Sequence, residues 1–140
     1  MNFYDIQRIA ILGNGMLGKY CYKRLKESTK FKITMYDHNV FDITNQDDVY
    51  TMICDNDCII NCAAYTNVDK AESEKSKCKL INGSALEYLS YEISKQKKFL
   101  IHISSDFVYG SIKDSSLEPL HEEDILTPIN VYGESKLERR

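Results

Sequence analysis

The sequence predicts an α/β fold, a doubly wound parallel sheet in three layers, on three observations. Short, nearly unbroken apolar stretches of strand length alternate with stretches of helical periodicity. Those apolar stretches lack the polar alternation of a sheet wetted on one face, so helices must cover both faces. Between the first strand and the first helix stands Gly13-Asn14-Gly15-Met16-Leu17-Gly18, a turn built mainly of glycine.

Arg8-Ile9-Ala10-Ile11-Leu12 is the first strand. A helix from Met16 to Lys26 follows, with Leu17, Tyr20, Cys21 and Leu25 recurring at roughly helical spacing. Lys32 to Asp37 reads as the second strand. Thr44 or Asn45 caps a helix that runs to about Cys54. Cys58 to Ala63 is the third strand. Lys75 to Lys97 reads as one long helix whose inner face carries Leu80, Leu86, Leu89 and Ile93. Its basic end, Lys95-Gln96-Lys97-Lys98, suits the negative end of the helix dipole. Phe99 to Ser104 is a fourth strand, in which His102 is a packed residue rather than a catalyst. Asp69, Lys70 and Glu72 read as a helix start with solvated charges. A polar stretch over residues 111–128, with Pro119 and Pro128, leads to a last helix near Asn130.

With 140 residues the chain has the length of one domain, and residues 1–140 are read as one. The net charge of −3 and the lack of a basic patch argue against nucleic acid as a partner. No apolar run approaches the roughly 20 residues of a membrane span, and the opening MNFYDIQR is not a secretory leader. The five cysteines, Cys21, Cys54, Cys58, Cys62 and Cys78, are an odd number and point to free thiols in a reducing cytoplasm. The spacing of Cys54, Cys58 and Cys62 matches no zinc motif, so no metal is expected.

A G-x-G-x-x-G that follows a strand and opens a helix has the context of Rossmann-type dinucleotide binding. Gly13 permits the tight turn, Gly15 lets backbone N–H groups approach a pyrophosphate, and Gly18 lets the helix lie close on the strand. The helix start then meets the phosphate charge. Asp37, 19 residues past Gly18, suits a ribose 2′-hydroxyl and repels a 2′-phosphate. This favours NADH among NAD(P)H cofactors. The alternative is an aspartate that only caps the turn at His38-Asn39.

Several stretches together resemble the extended short-chain dehydrogenase/reductases, and within them the dTDP-4-dehydrorhamnose reductases. They are GNGMLG, Asp42-Ile43-Thr44, NCAAYTNVDKAE at 61–72, Asn82, HISSDFVYG at 102–110 and PINVYGESKLE at 128–138. The glycine turn is one residue shorter than the family's usual spacing, which shifts the phosphate contacts. The resemblance implies NAD(P)H-dependent reduction of a 4-keto-6-deoxy nucleotide sugar in rhamnose biosynthesis. Asn14, Met16 and Leu17 of the glycine turn would contact the cofactor. Asp42 and Ile43 would lie against its adenine, and Ala63, Ala64 and Tyr65 would line its path. Ser105 would hold the substrate carbonyl, where the family usually has threonine. Tyr132 would donate the proton and also contact the cofactor, with Lys136 as its partner on the same helix face. Lys136 would also bond the nicotinamide ribose. The bland alternative is a surface pair on an amphipathic helix. Asp106-Phe107 replaces the Asp-Glu pair of the related 4,6-dehydratases, which removes the base their dehydration needs.

The resemblance also implies that residues 1–140 are a truncated, cofactor-binding part, without the C-terminal strands and small substrate domain. The expectation is that the chain alone binds dinucleotide weakly and reduces nothing. The strand Phe99 to Ser104 then has an open edge, suited to a partner chain or a second copy. Two other readings stand beside the reductase. One is a non-catalytic NAD(P)-binding regulatory subunit. The other is a nucleotide-sugar epimerase, which YTNVDKAE disfavours.

Overall fold

Among the described residues, four parallel strands form one sheet in the order β2-β1-β3-β4. They are β1 (Arg8–Leu12), β2 (Lys32–Tyr36), β3 (Cys58–Asn61) and β4 (Phe99–His102). The computed structural model describes residues 5–28, 30–110 and 119–137. The register pairs Ala10 with Thr34 on one side and with Ile59 on the other, and Ile60 with Ile101. The helices are α1 (Met16–Ser28), α2 (Gln46–Asp55), α3 (Val68–Ala71), α4 (Lys75–Lys79), α5 (Ala85–Lys95) and α6 (Val131–Leu137). The chain divides into two compact units, Met1–Ala64 with Ser84–Ile103, and Tyr65–Gly83 with Ser104–Arg140.

In the first unit, strand alternation sorts side chains to the two faces. Ala10, Leu12 and Ile59 pack with Val49, Met52 and Ile53 of α2 and with Leu86, Leu89 and Ile93 of α5. Ile9 and Cys58 lie on the opposite face with Ile6, flanked by Ile33, Ile60 and Phe99. α1 covers that face, since a Cβ on Gly18 would lie 3.7 Å from Ile11 Cγ2. Asn45 caps α2, its side chain accepting from the N–H groups of Asp47 and Asp48. β4 is an edge strand among the described residues, with Ile101 50% exposed and Ile103, just past its end, 36% exposed.

Four expectations need correction. Leu17 and Tyr20 are exposed, and the inner stripe of α1 is Gly18, Cys21, Tyr22 and Leu25. The close approach of Gly18 to the strand sets the rotation of the helix and turns Leu17 and Tyr20 outward. Leu80 is exposed as well. The stretch from Lys75 to Lys97 is not one regular helix, because Leu80–Ser84 winds as a π-helical turn between α4 and α5. The Asn82-Gly83 pair within it is a poor helix former, and the Asn82 side chain bonds elsewhere. β1 ends where expected, at Leu12, while β2, β3 and β4 end one or two residues earlier than expected. Of the polar stretch 111–128, residues 111–118 lie outside the described residues.

At the sheet's other end, Asp57 ties the strand starts together. Its Oδ2 accepts the N–H groups of Gln7 (3.1 Å) and Arg8 (2.9 Å). Its Oδ1 accepts from Arg8 Nη2 (3.1 Å) and Lys98 Nζ (3.5 Å). Burial alone would raise this carboxyl, but the Arg8 guanidinium and the two N–H groups outweigh it and hold it at about 2, below the ordinary 3.8. A depressed carboxyl contributes stability above its unfolded value, and that contribution is lost as pH falls from about 4 to about 2. Asp57→Asn is therefore expected to cost about 2 kcal/mol at pH 7. Urea melts should show that difference shrinking towards zero at pH 2; a difference that does not vary with pH would refute the assignment.

Candidate functional site

In the first unit β1 runs into the glycine turn, whose three glycines have separate structural reasons. Gly13 has φ +91°, a left-handed conformation, and a Cβ there would lie 2.9 Å from the Ala63 nitrogen. Its N–H donates to Tyr36 O at 2.9 Å, which joins the turn to the end of β2. Gly15 has nothing within 4 Å of where its Cβ would stand, so its backbone is open to a ligand. A Cβ on Gly18 would fall on the Gly13 carbonyl oxygen. Gly18→Val is expected to cost about 2 kcal/mol through backbone displacement, measurable as a lowered urea midpoint. An unchanged midpoint would show that the turn tolerates a side chain.

The turn opens α1, whose first N–H groups have no partner within the helix. Gly15 O accepts the Lys19 N–H at 3.0 Å, and Met16 is 91% exposed. No acidic side chain stands in the first turn. This is a cradle that fits a diphosphate: open backbone, a helix start and no competing carboxylate. Asn14 lies in the same turn. Ala63 and Ala64 follow β3 beside Gly13, and Asn61 Oδ1 accepts the Ala63 N–H at 3.0 Å. Asn61 also shares a 3.2 Å hydrogen bond with His102 Nδ1, so that histidine is packed in the sheet. Asp37 follows β2, and its Oδ1 accepts the Asn39 N–H at 2.8 Å. The turn-capping role is thus present, and a carboxylate retains capacity for further bonds. Asp42 is exposed, its Oδ1 accepting from the Thr44 N–H and hydroxyl. Ile43 is half-buried against the core.

The second unit brings Ser105, Tyr132 and Lys136 onto adjoining elements. Ser105 precedes a 3₁₀ turn, Asp106–Tyr109, and its Oγ accepts the Phe107 N–H at 3.3 Å. The Phe107 ring stands edge-on to the Tyr132 ring, with centroids 5.4 Å apart. α6 approaches so closely that a Cβ on Gly133 would lie 2.5 Å from Phe107 O. Tyr132 is 9% and Lys136 3% exposed, one helical turn apart on the inner face of α6. They are not a surface pair. Burial pushes the Lys136 ammonium below its ordinary range, with Cys78 acting weakly the other way. Tyr65 donates from its hydroxyl to Glu74 Oε2 at 2.9 Å; burial first, then Glu74, raises the phenol.

Four residues to which the sequence gave no catalytic or cofactor role hold this arrangement. Asn82, 3% exposed, accepts the Tyr65 N–H (2.9 Å) and donates to Tyr65 O (3.1 Å) and Ser135 Oγ (2.9 Å). Ser135 Oγ donates in turn to Tyr132 O at 2.7 Å. At the start of α6, Glu72 Oε1 accepts the Val131 N–H at 2.8 Å, and Asn130 Oδ1 accepts that of Gly133 at 2.7 Å. Glu72 is therefore not merely a solvated charge. The available signal was Asn82-Gly83 standing inside a helical pattern, where helix propensity opposes both residues.

A family model described as the RmlD substrate binding domain matches residues 7–139. The chain is 35% identical over 134 residues to a dTDP-4-dehydrorhamnose reductase of Aggregatibacter actinomycetemcomitans, covering 94% of this chain and 45% of that protein. It is 36% identical over 134 residues to one of Mycolicibacterium smegmatis, covering 94% of this chain and 39% of that protein. Among solved structures, a dTDP-4-dehydrorhamnose reductase from Bacillus anthracis in complex with NADP matches with a TM-score of 0.85 and 32% identity. That match covers 96% of this chain and 48% of that one. The chain thus spans about half the length of the relatives it matches. The fold is Rossmann-like. No helix among the described residues is long and apolar enough to cross a membrane.

Proposed function

The chain belongs to the family of the RmlD substrate binding domain, and from that we propose that it binds NAD(P)H and carries the proton-transfer residues of a nucleotide-sugar reductase. The substrate class is a 4-keto-6-deoxy nucleotide sugar, after the reductases it is similar to. The observation that carries the chemistry is Lys136, a desolvated lysine one turn from Tyr132 on a helix packed against the turn that Ser105 begins.

When bound, the nicotinamide supplies the hydride. Gly13, Gly15 and Gly18, with the backbone of Asn14, Met16 and Leu17, receive the diphosphate. Asp37 takes the adenosine ribose, Asp42 and Ile43 flank the adenine, and Ala63, Ala64 and Tyr65 line the cofactor's course. Ser105 donates to the ketone oxygen and orients it. Tyr132 gives that oxygen a proton as negative charge develops on it. A tyrosine of ordinary pKa, about 10, is a poor acid–base relay near neutrality. The Lys136 ammonium stabilises the tyrosinate left behind, and desolvation strengthens that attraction. Lys136 also bonds the nicotinamide ribose.

Titration with NADH and with NADPH, followed by fluorescence, tests the binding half of this reading. Asp37 leads to tighter binding of NADH, by about tenfold for a carboxylate facing a 2′-phosphate. Equal affinities would remove the argument from Asp37, and no binding of either would end the reading. We also propose that the outer edge of β4 pairs with a further strand, from additional chain or a second copy. Light scattering of the purified chain, which reads particle mass, would exclude the second copy if only single chains appear.

A further inference from the structure

We propose that Cys21 and Cys62 are a modification site, a thiol pair that closes reversibly into a disulfide tying α1 to the tip of β3 beneath the glycine turn. Both belong to the first unit. Cys21 lies on the inner stripe of α1, one turn beyond Gly18, which rests on the Gly13 carbonyl and beside Ile11 Cγ2. Cys62 continues β3, its N–H donating to Leu12 O at 3.0 Å. Strand alternation puts Ile59 on the face covered by α2 and α5, and Cys58 and Ile60 on the other. Cys62 follows in the second series and so points to the α1 face, where Cys21 points from the helix.

The thiols are close enough to interact: burial is the larger influence on Cys62, and Cys21 adds to it, pushing that thiol up to about 11. Both side chains are half-buried, hence reachable by a small reagent, whereas Cys58 and Cys78 are buried. Cys54 is exposed on α2 and bonds to Gln96 Oε1 at 3.6 Å.

The chemistry is thiol–disulfide exchange with a low-molecular-weight disulfide such as oxidised glutathione. Cys21, as thiolate, attacks the reagent's disulfide and forms a mixed disulfide, releasing one reagent thiol. Cys62 then loses its proton and attacks Cys21 Sγ, forming the protein disulfide and releasing the second reagent thiol. Two protein thiols are oxidised and one small disulfide is reduced, a two-electron exchange with no other reactant. Burial keeps Cys62 largely as the thiol, and its place beside Cys21 on the α1 face compensates for the low thiolate fraction.

The test is independent of cofactor binding. The full chain is incubated with oxidised glutathione, then measured by intact mass and by peptide mapping without reduction. The expected result is a loss of about 2 Da, reversed by dithiothreitol, with Cys21 and Cys62 in one linked peptide pair. Cys54→Ser should leave the link intact, while Cys21→Ser and Cys62→Ala should each abolish it. Unchanged mass, glutathione adducts without a link, or a link that survives Cys62→Ala would each overturn the proposal.

Discussion

Replacing Asn82 by alanine is expected to lower stability by about 4 kcal/mol, because one side chain satisfies three separate groups in the interior. The N–H and carbonyl of Tyr65 would both lose a partner, as would Ser135 Oγ. Ser135 is fully buried and Asn82 nearly so, so water does not readily replace those bonds. Ser135→Ala removes an acceptor but leaves the Tyr65 bonds in place, and should cost about 1 kcal/mol. The double variant should cost less than the two single changes added, since they share one bond. Urea unfolding followed by circular dichroism measures all three. A loss below about 1 kcal/mol for Asn82→Ala would mean that the Tyr65 segment and α6 are held by apolar packing alone.

Lys136→Met should move stability and binding in opposite directions. Burial lowers the folded pKa of Lys136, so the ammonium is less favourable in the fold than in the unfolded chain. That penalty is largest below the folded pKa and is lost as pH rises towards the ordinary lysine value of about 10.5. Methionine fills much of the same volume without the charge, so the unfolding free energy at pH 7 should rise by about 1 kcal/mol. NADH affinity should fall about thirtyfold if, as proposed, Lys136 makes a charge-assisted bond to the cofactor. Tyr132→Phe supplies the contrast, keeping the ring that would contact the cofactor, and so most of the NADH affinity, while removing the proposed proton donor. If Lys136→Met destabilises the chain and leaves NADH affinity intact, Lys136 is a structural lysine and the proposed chemistry fails.

Much of the fold was legible because its signals are local. Short, nearly unbroken apolar stretches marked the strands, and Thr44 or Asn45 marked the start of α2 by capping chemistry, the cap being Asn45. The glycine turn was legible for the same reason, since positive φ and close backbone approach admit few residues other than glycine. Where the reading went astray, a distant contact overrode a local pattern. Leu17 and Tyr20 fit a helical stripe, but the approach of Gly18 to Gly13 rotates α1 by a different rule. Leu80 fits the stripe of α5, but the π-helical turn breaks the phase between α4 and α5.

By itself the sequence determined the order and type of the strands and the place of the glycine turn, while the set Ser105, Tyr132 and Lys136 came only from its resemblance to a known family. Residue type and short spacing suffice for the strands and the turn, because these depend on steric and hydrogen-bonding preferences within a few positions. Only the tertiary structure decided that Lys136 is buried, that Glu72 caps a helix 59 residues away, and that Asn82 bonds both Tyr65 and Ser135. Desolvation and long-range hydrogen bonds depend on which surfaces meet. No local pattern of apolar and polar residues encodes that meeting, which arises when the whole chain buries its apolar faces together.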